Sequence, residues 1–296
     1  MQCPRCIKLN SDQPPSEPRS LRFILAGKYL RKHDQTWIQR YKCLICNKNF
    51  SDNTYHPCKY QKKPHLNLPV FEHLVSGVSQ RRMASLLKTN RKTIVRKFMF
   101  LGQWALWNLR QNQHIPNRLI STIVFDDMET FESTKFKPLS ISLAVEDKTR
   151  FILGFRIAEM PAKGVLAKRA LEKYGKRLDQ RKKMRQELFN QLKLVVTQSV
   201  VIKSDQNPHY ASDVLRYFPE GEHLTYKGRR GCVVGQGELK AGGFDPLYAL
   251  NHTAAMLRAN VNRLFRRTWN TTKKAMCLEW HMALYTWYHN FVLLKS

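Results

Sequence analysis

Acid is scarce in this sequence. Its 296 residues carry 22 Asp and Glu against 51 Lys and Arg, a formal net charge of +29. Such an excess argues against a merely soluble surface and favours a polyanionic partner, nucleic acid ahead of anionic membrane. Long apolar runs are missing too. No stretch of eighteen apolar residues occurs, so no conventional membrane-spanning helix is expected. A signal-peptide core is absent as well, because the opening MQCPRCIKLNSDQPPSEP is polar and proline-rich. The chain is therefore expected in the cytoplasm, where thiols stay reduced and paired cysteines point to metal rather than disulfides. What is present excludes two further classes. With 43% hydrophobic and 11% aromatic residues the chain is no disordered basic tail, and its length exceeds that of a single small module.

The positive charge is spread along the chain. Residues 1–118 hold 22 Lys and Arg against 5 Asp and Glu, a net +17, and the remainder is +12. Within the first segment, Cys3 and Cys6 stand at CxxC spacing, and Cys43 and Cys46 repeat it in YKCLICNKNFS. Two such turns can set four thiolates tetrahedrally around one structural zinc ion. The stretch between them, LRFILAGKYLRKHDQTWIQRYK, alternates near its end and supplies hairpin strands, so residues 1–60 read as a zinc ribbon. Cys58, beside His56, falls outside the pattern and reads as a free thiol. Cys232 and Cys277 read as small buried hydrophobes.

Residues 61–118 read as a helical DNA-binding domain and linker. Ser79 is placed to cap a helix with Met83, Ala84, Leu86 and Leu87 inward; Lys88, Thr89 and Asn90 make a turn; Arg91 to Phe100 form a second helix with Ile94, Val95 and Phe98 inward. This is a helix-turn-helix. Its second helix would present Arg91, Lys92, Thr93, Arg96 and Lys97 to phosphates and base edges of double-stranded DNA.

After residue 118 the periodicity changes. LISTIVFDD reads as a buried strand, LSISLAVEDKTRFILGFRI as a hairpin turned at Glu146 to Lys148, and residues 164–194 as helix interrupted near Gly175. A strand ending at Asp205, a short helix, a strand near His223 to Tyr226, a glycine-rich segment and two long helices follow. The succession βββαβαβα is that of a ribonuclease-H-like mixed sheet over residues 119–296, making the whole chain a multidomain α/β protein. In that topology the strands closed by Asp126 and Asp205 are neighbours. Their carboxylates suit magnesium or manganese ions, two of which could drive an in-line phosphoryl displacement.

The pieces CPRC, WIQRYKCLICNKNFS, IVFDDMETF, IKSDQNPHY and LNHTAAMLRANVNRLFRRTWNTTKK together resemble DDE-type transposases of bacterial insertion sequences, nearest the insertion-sequence-one group. The resemblance covers nearly the whole chain. It implies binding to the element's terminal repeats, metal-dependent cleavage and strand transfer into target DNA, a dimer or larger assembly on DNA, and a place beside the bacterial nucleoid. It places the family's first acid at Asp126, with Asp127 beside it, and the second at Asp205. The third position falls on Asn251, where relatives usually carry glutamate. Glu238, in GQGELK, competes by its spacing from Asp205, although its glycine-rich setting reads as loop whereas the third ligand normally rides a helix. Arg258, Arg263, Arg266, Arg267, Lys273 and Lys274 follow, with Arg263 and Arg267 at i and i+4 expected to track a phosphate backbone. A DNA-binding regulator with an inactive domain and a structure-specific nuclease are the competing readings.

Overall fold

The computed structural model describes residues 3–9, 23–32, 34–112, 114–115, 118–227, 245–265 and 269–295. They fall into two compact units, Met1–Asn67 and Leu68–Ser296. The first contains helix α1 (Pro4–Leu9) and strands β1 (Phe23–Arg31), β2 (Thr36–Cys43) and β3 (Asn49–Ser51), joined as an antiparallel sheet in that order. Phe23 pairs with Cys43 and Tyr41 with Phe50, which brings three rings together with centroids 5.2 to 5.6 Å apart. Gly27, at φ 79°, takes up the register shift between Leu25 and Lys28, a bulge conformation that a β-carbon would strain. The apolar burial is small. Among its described residues, Cys3, Cys43 and Phe50 form one buried cluster and Ile38 and Leu66 are buried besides, while Leu25 and Trp37 stay exposed.

The second unit holds helices α2 (Asn67–Val75, whose first residue belongs to the N-terminal unit), α3 (Gln80–Leu86) and α4 (Arg91–Arg110), then strands β4 (Ile120–Phe131), β5 (Pro138–Glu146) and β6 (Ile152–Glu159). Helices α5 (Leu166–Tyr174) and α6 (Arg181–Leu192), strand β7 (Val196–Asp205), helix α7 (Tyr210–Tyr217), strand β8 (Glu222–Tyr226) and helices α8 (Tyr248–Asn260) and α9 (Ala275–Tyr288) complete it. Its sheet runs β6-β5-β4-β7-β8, antiparallel between β4, β5 and β6 and parallel from β4 through β7 to β8. The chain is thus mixed α/β with sheets of both orientations. Strand β5, PLSISLAVE, is buried at every position after its first, as a strand covered on both faces must be. Ile123, Phe125 and Ala144 share one face with Leu188 and Phe189 of α6 and Tyr210 and Val214 of α7. Val124, Leu143 and Val145 alternate to the other face and are equally buried; α8 lies against β4 and β5.

Ser79 accepts a hydrogen bond from the Arg82 main chain, so the expected cap forms, and Asn90, expected as a turn residue, accepts from the Lys92 main chain and caps the second helix. Its second helix is longer than Arg91–Phe100, because α4 runs unbroken for 20 residues. Gly102 lets it press on α9, where an added β-carbon would stand 2.9 Å from Trp280 Cγ. Phe98 meets Trp280 edge-on at 5.9 Å, and Arg110 bonds Glu279 at 2.9 Å. His281 Nε2 lies 2.8 Å from the Leu74 carbonyl, tying α9 to α2 as well. The helices read as a domain of their own over residues 61–118 therefore share, from Leu68 onward, one compact unit with the large sheet.

Candidate active site and metal centre

In the N-terminal unit the sulfurs of Cys3, Cys6, Cys43 and Cys46 all lie within 4.8 Å of one another. Cys3 and Cys46 are 3.5 Å apart and Cys6 and Cys43 3.8 Å, far beyond a disulfide bond. Tetrahedral sulfurs at about 2.3 Å from zinc would be about 3.8 Å from each other. The four thiols can hold one zinc ion. Main-chain N–H groups of Cys46 and Ile45 directed at Cys43 lower that thiol to about 7, whereas desolvation and its thiol neighbours push Cys6 up to about 12. Cys58 stands apart, accepting from Asn67 Nδ2 at 3.2 Å. Cys277 is half-buried rather than fully buried, and Cys232 lies outside the described residues.

In the second unit, Ile123 pairs with Ile202 and Val124 with Lys203 across the parallel β4–β7 seam. Carrying that register two residues further sets Asp126 level with Asp205, on the same sheet face as Leu143. Strand β4 does not stop at Asp126 as expected, because antiparallel pairing with β5 carries it on to Phe131. Asp126 therefore sits in the body of a strand. Burial first, then the charge of Asp205, raises its carboxyl to about 7. Its Oδ1 accepts from the Asp127 N–H at 2.6 Å and from the Tyr210 hydroxyl at 3.0 Å. Asp205 Oδ1 accepts from the Asn207 N–H at 3.0 Å.

Asp127 alternates to the other face, where it pairs with Ser142 and accepts its hydroxyl at 2.5 Å. Burial raises its pKa, and the bond from Ser142 and the charge of Arg185 offset part of the rise. A cleft of about 590 Å³ opens beside Asp205, lined also by Lys163, Arg181, His209 and Lys227.

Asn251 stands in the first turn of α8 and donates through Nδ2 to Asp245 Oδ2 at 3.0 Å. A carboxylate only accepts, so this bond fixes the amide with its carbonyl oxygen turned away from Asp245. Asp245 Oδ1 takes the Leu247 N–H at 2.9 Å. Glu238, with Arg266 and Arg267, lies outside the described residues. Among the described residues, the four cysteines form the only cluster of three or more His, Cys, Asp or Glu able to surround a metal.

The basic residues divide. Arg91, Lys92 and Arg96 are exposed on α4 and Thr93 is half-buried, but Lys97 is only 4% exposed. It falls on the stripe of Ile94 and Phe98 that faces inward, so it is no surface contact. Leu86, expected inward, is 55% exposed. Helix α8 ends at Asn260, and a 3-10 turn, Asn262–Leu264, stands where Arg263 was expected on a helix. Arg263 consequently stacks over the Phe98 ring at 5.2 Å instead of lying on a phosphate-tracking face. Arg258, Lys273 and Lys274 are exposed.

Sequence reasoning missed Tyr210, Ser142 and Asp245. Tyr210 stands five residues beyond Asp205 and Asp245 six before Asn251, spacings that single them out only once the strand and helix ends are known. No family model matches the chain, and no curated protein matches it. None of the described helices is long and apolar enough to cross a membrane.

Proposed function

We propose that this chain is a DDE-type DNA transposase that binds the terminal repeats of an insertion sequence, cleaves its ends and joins them to target DNA. The observation that carries the reading is the pair of carboxylates, Asp126 and Asp205, level on neighbouring parallel strands in a chain of net charge +29. The strand order β6-β5-β4-β7-β8 is the one expected of a ribonuclease-H-like sheet. The caps at Ser79 and Asn90 and the exposed Arg91, Lys92 and Arg96 support a DNA-reading helix pair in the same unit.

The donor set fits hard divalent cations. Burial and mutual repulsion hold Asp126 near 7, and a cation between the carboxylates would relieve both costs. Magnesium or manganese bound there supplies Lewis-acid stabilisation of the leaving oxygen and a more acidic attacking water or 3′ hydroxyl. Asp126 and Asp205 hold the site, Asn251 offers a neutral carbonyl as third ligand, and the basic rim at Arg181 and Lys227 holds phosphates. The zinc centre keeps the N-terminal unit folded for DNA contact. Two ends must be held together, so the working form on DNA is a dimer or larger.

A second reading has an observation of its own. No third acid joins Asp126 and Asp205 among the described residues, which favours a DNA-binding regulator with an inactive catalytic fold. Labelled terminal-repeat DNA with magnesium separates the readings. Cleavage and joined products support the transposase, cleavage without joining points to a nuclease, and binding alone points to the regulator.

A further inference from the structure

Tyr210 is fully buried, yet it carries a hydroxyl, which bonds Asp126 Oδ1 at 3.0 Å and has the Asp127 carboxylate as a second neighbour. Its ring meets Phe125 edge-on at 4.9 Å, and the Arg185 guanidinium lies 5.2 Å from its centroid. Arg185 is itself fixed, donating from Nε to Asp213 Oδ2 at 2.8 Å and from Nη2 to the His209 carbonyl at 3.1 Å. The ring therefore has one orientation, with its hydroxyl on Asp126 Oδ1. The Asp127 N–H binds the same oxygen. Two donors thus hold one oxygen of the carboxylate, and among the described residues no hydrogen bond takes up Oδ2.

We infer that Tyr210 is a positioning residue which, together with the Asp127 N–H, ties down Oδ1 of Asp126 and thereby presents Oδ2 to a divalent cation. This rests on the reading of Asp126 as a cation ligand. The tyrosine hydroxyl is a neutral donor, since a phenol ordinarily keeps its proton up to a pH of about 10. Outer partners of this kind typically change metal affinity by about 10- to 100-fold when removed.

The test is Mn2+ binding to the full zinc-loaded chain without DNA, by calorimetry, for wild type, Asp126→Asn and Tyr210→Phe. Phenylalanine keeps the ring among Phe125 and Phe189 and deletes only the donor. The expected result is Mn2+ affinity lost in Asp126→Asn and weakened about 10- to 100-fold in Tyr210→Phe, with thermal unfolding and zinc content unchanged. In cleavage, Tyr210→Phe should need correspondingly more Mn2+ and approach the wild-type rate at saturation. Placing 4-aminophenylalanine at position 210 restores a donor and should restore affinity. Wild-type affinity in Tyr210→Phe, or loss of its cooperative unfolding, overturns the positioning role while leaving the acid pair in place. Mn2+ binding that is absent in wild type, or indifferent to Asp126→Asn, overturns the acid-pair reading and the role with it.

Discussion

The two units are held together by different physics. Among its described residues the N-terminal unit buries five apolar side chains, two of them thiols, and leaves Trp37 and Leu25 at 65% and 72% exposure. The C-terminal unit covers both faces of a five-stranded sheet and seats an unbroken 20-residue helix against α9. A sheet as small as the first offsets little of its chain entropy by burial, and the four thiols beside it can hold one zinc ion that would add to its stability. In the second, burial is so complete that it burdens the acids it encloses. One unit gathers four thiols where a zinc ion can bind; the other gathers carboxylates whose burial raises their pKa.

The sharpest way to break that contrast is to remove the metal from one side. Cys43→Ser should release the zinc and unfold the N-terminal unit, since structural zinc contributes on the order of 10 kcal/mol to folding small metal domains. The transition of the C-terminal unit should remain. Metal analysis with calorimetry checks both, and a protein that keeps one zinc per chain, or that contains none when purified without chelator, contradicts the assignment.

On the other side, Asp126→Ala and Asp205→Ala should each reduce cleavage of terminal DNA by at least about a thousandfold, as losses of essential groups do, with end binding retained. Gel-shift and cleavage assays on one preparation read the two separately. Asn251→Ala should follow them and Asn251→Asp retain some cleavage; the reverse pattern, with Glu238→Gln as the damaging change, moves the third ligand to Glu238.

These effects differ in how far the sequence revealed them. The cysteine pairs and the two acids were legible because each depends on local spacing or on strand order, which hydrophobic alternation reports. The inward turn of Lys97 and Arg263 was not. Both look like surface cations in sequence, but α9 and the turn after α8 decide which side of α4 is covered. The end of α8 at Asn260 was equally hidden, because Asn262 Nδ2 bonds the Gly77 carbonyl at 3.0 Å, a partner 185 residues away. Tyr210 carried no local signal, being one tyrosine of 11 whose meaning lies in the strand beside it.

A smaller effect concerns the burden of the buried acid. Asp126 titrates near 7 in the folded chain against about 3.9 unfolded, so between those values the native state keeps a proton that the unfolded chain releases. Without divalent cations, stability should therefore fall as pH rises from about 4 to about 7, by roughly 2–4 kcal/mol at full effect. Asp126→Asn keeps the shape without the charge. Its advantage over wild type in urea unfolding should be near zero at pH 4 and full by pH 8, and a difference independent of pH refutes the burden.

The smallest expected effect probes the seam that makes the second unit one body. Gly102→Ala replaces the poorest ordinary helix former with the best, which alone would stabilise α4 by about 1 kcal/mol. The new β-carbon would overlap the root of the Trp280 side chain and stand 3.2 Å from Trp280 Cα, so no rotamer change relieves it and α4 must move off α9. Overpacking of that kind costs about 1–3 kcal/mol, which outweighs the propensity gain. The C-terminal transition should accordingly fall by a few degrees, since in a unit this size each kcal/mol shifts Tm by about 2–4 °C, while zinc content stays at one per chain. Gly27→Ala makes the complementary change in the other unit, straining a bulge at φ 79° with nothing within 4 Å to collide with. It should leave the C-terminal transition untouched, and a common shift of both transitions by either substitution would mean that the two units are not stabilised separately.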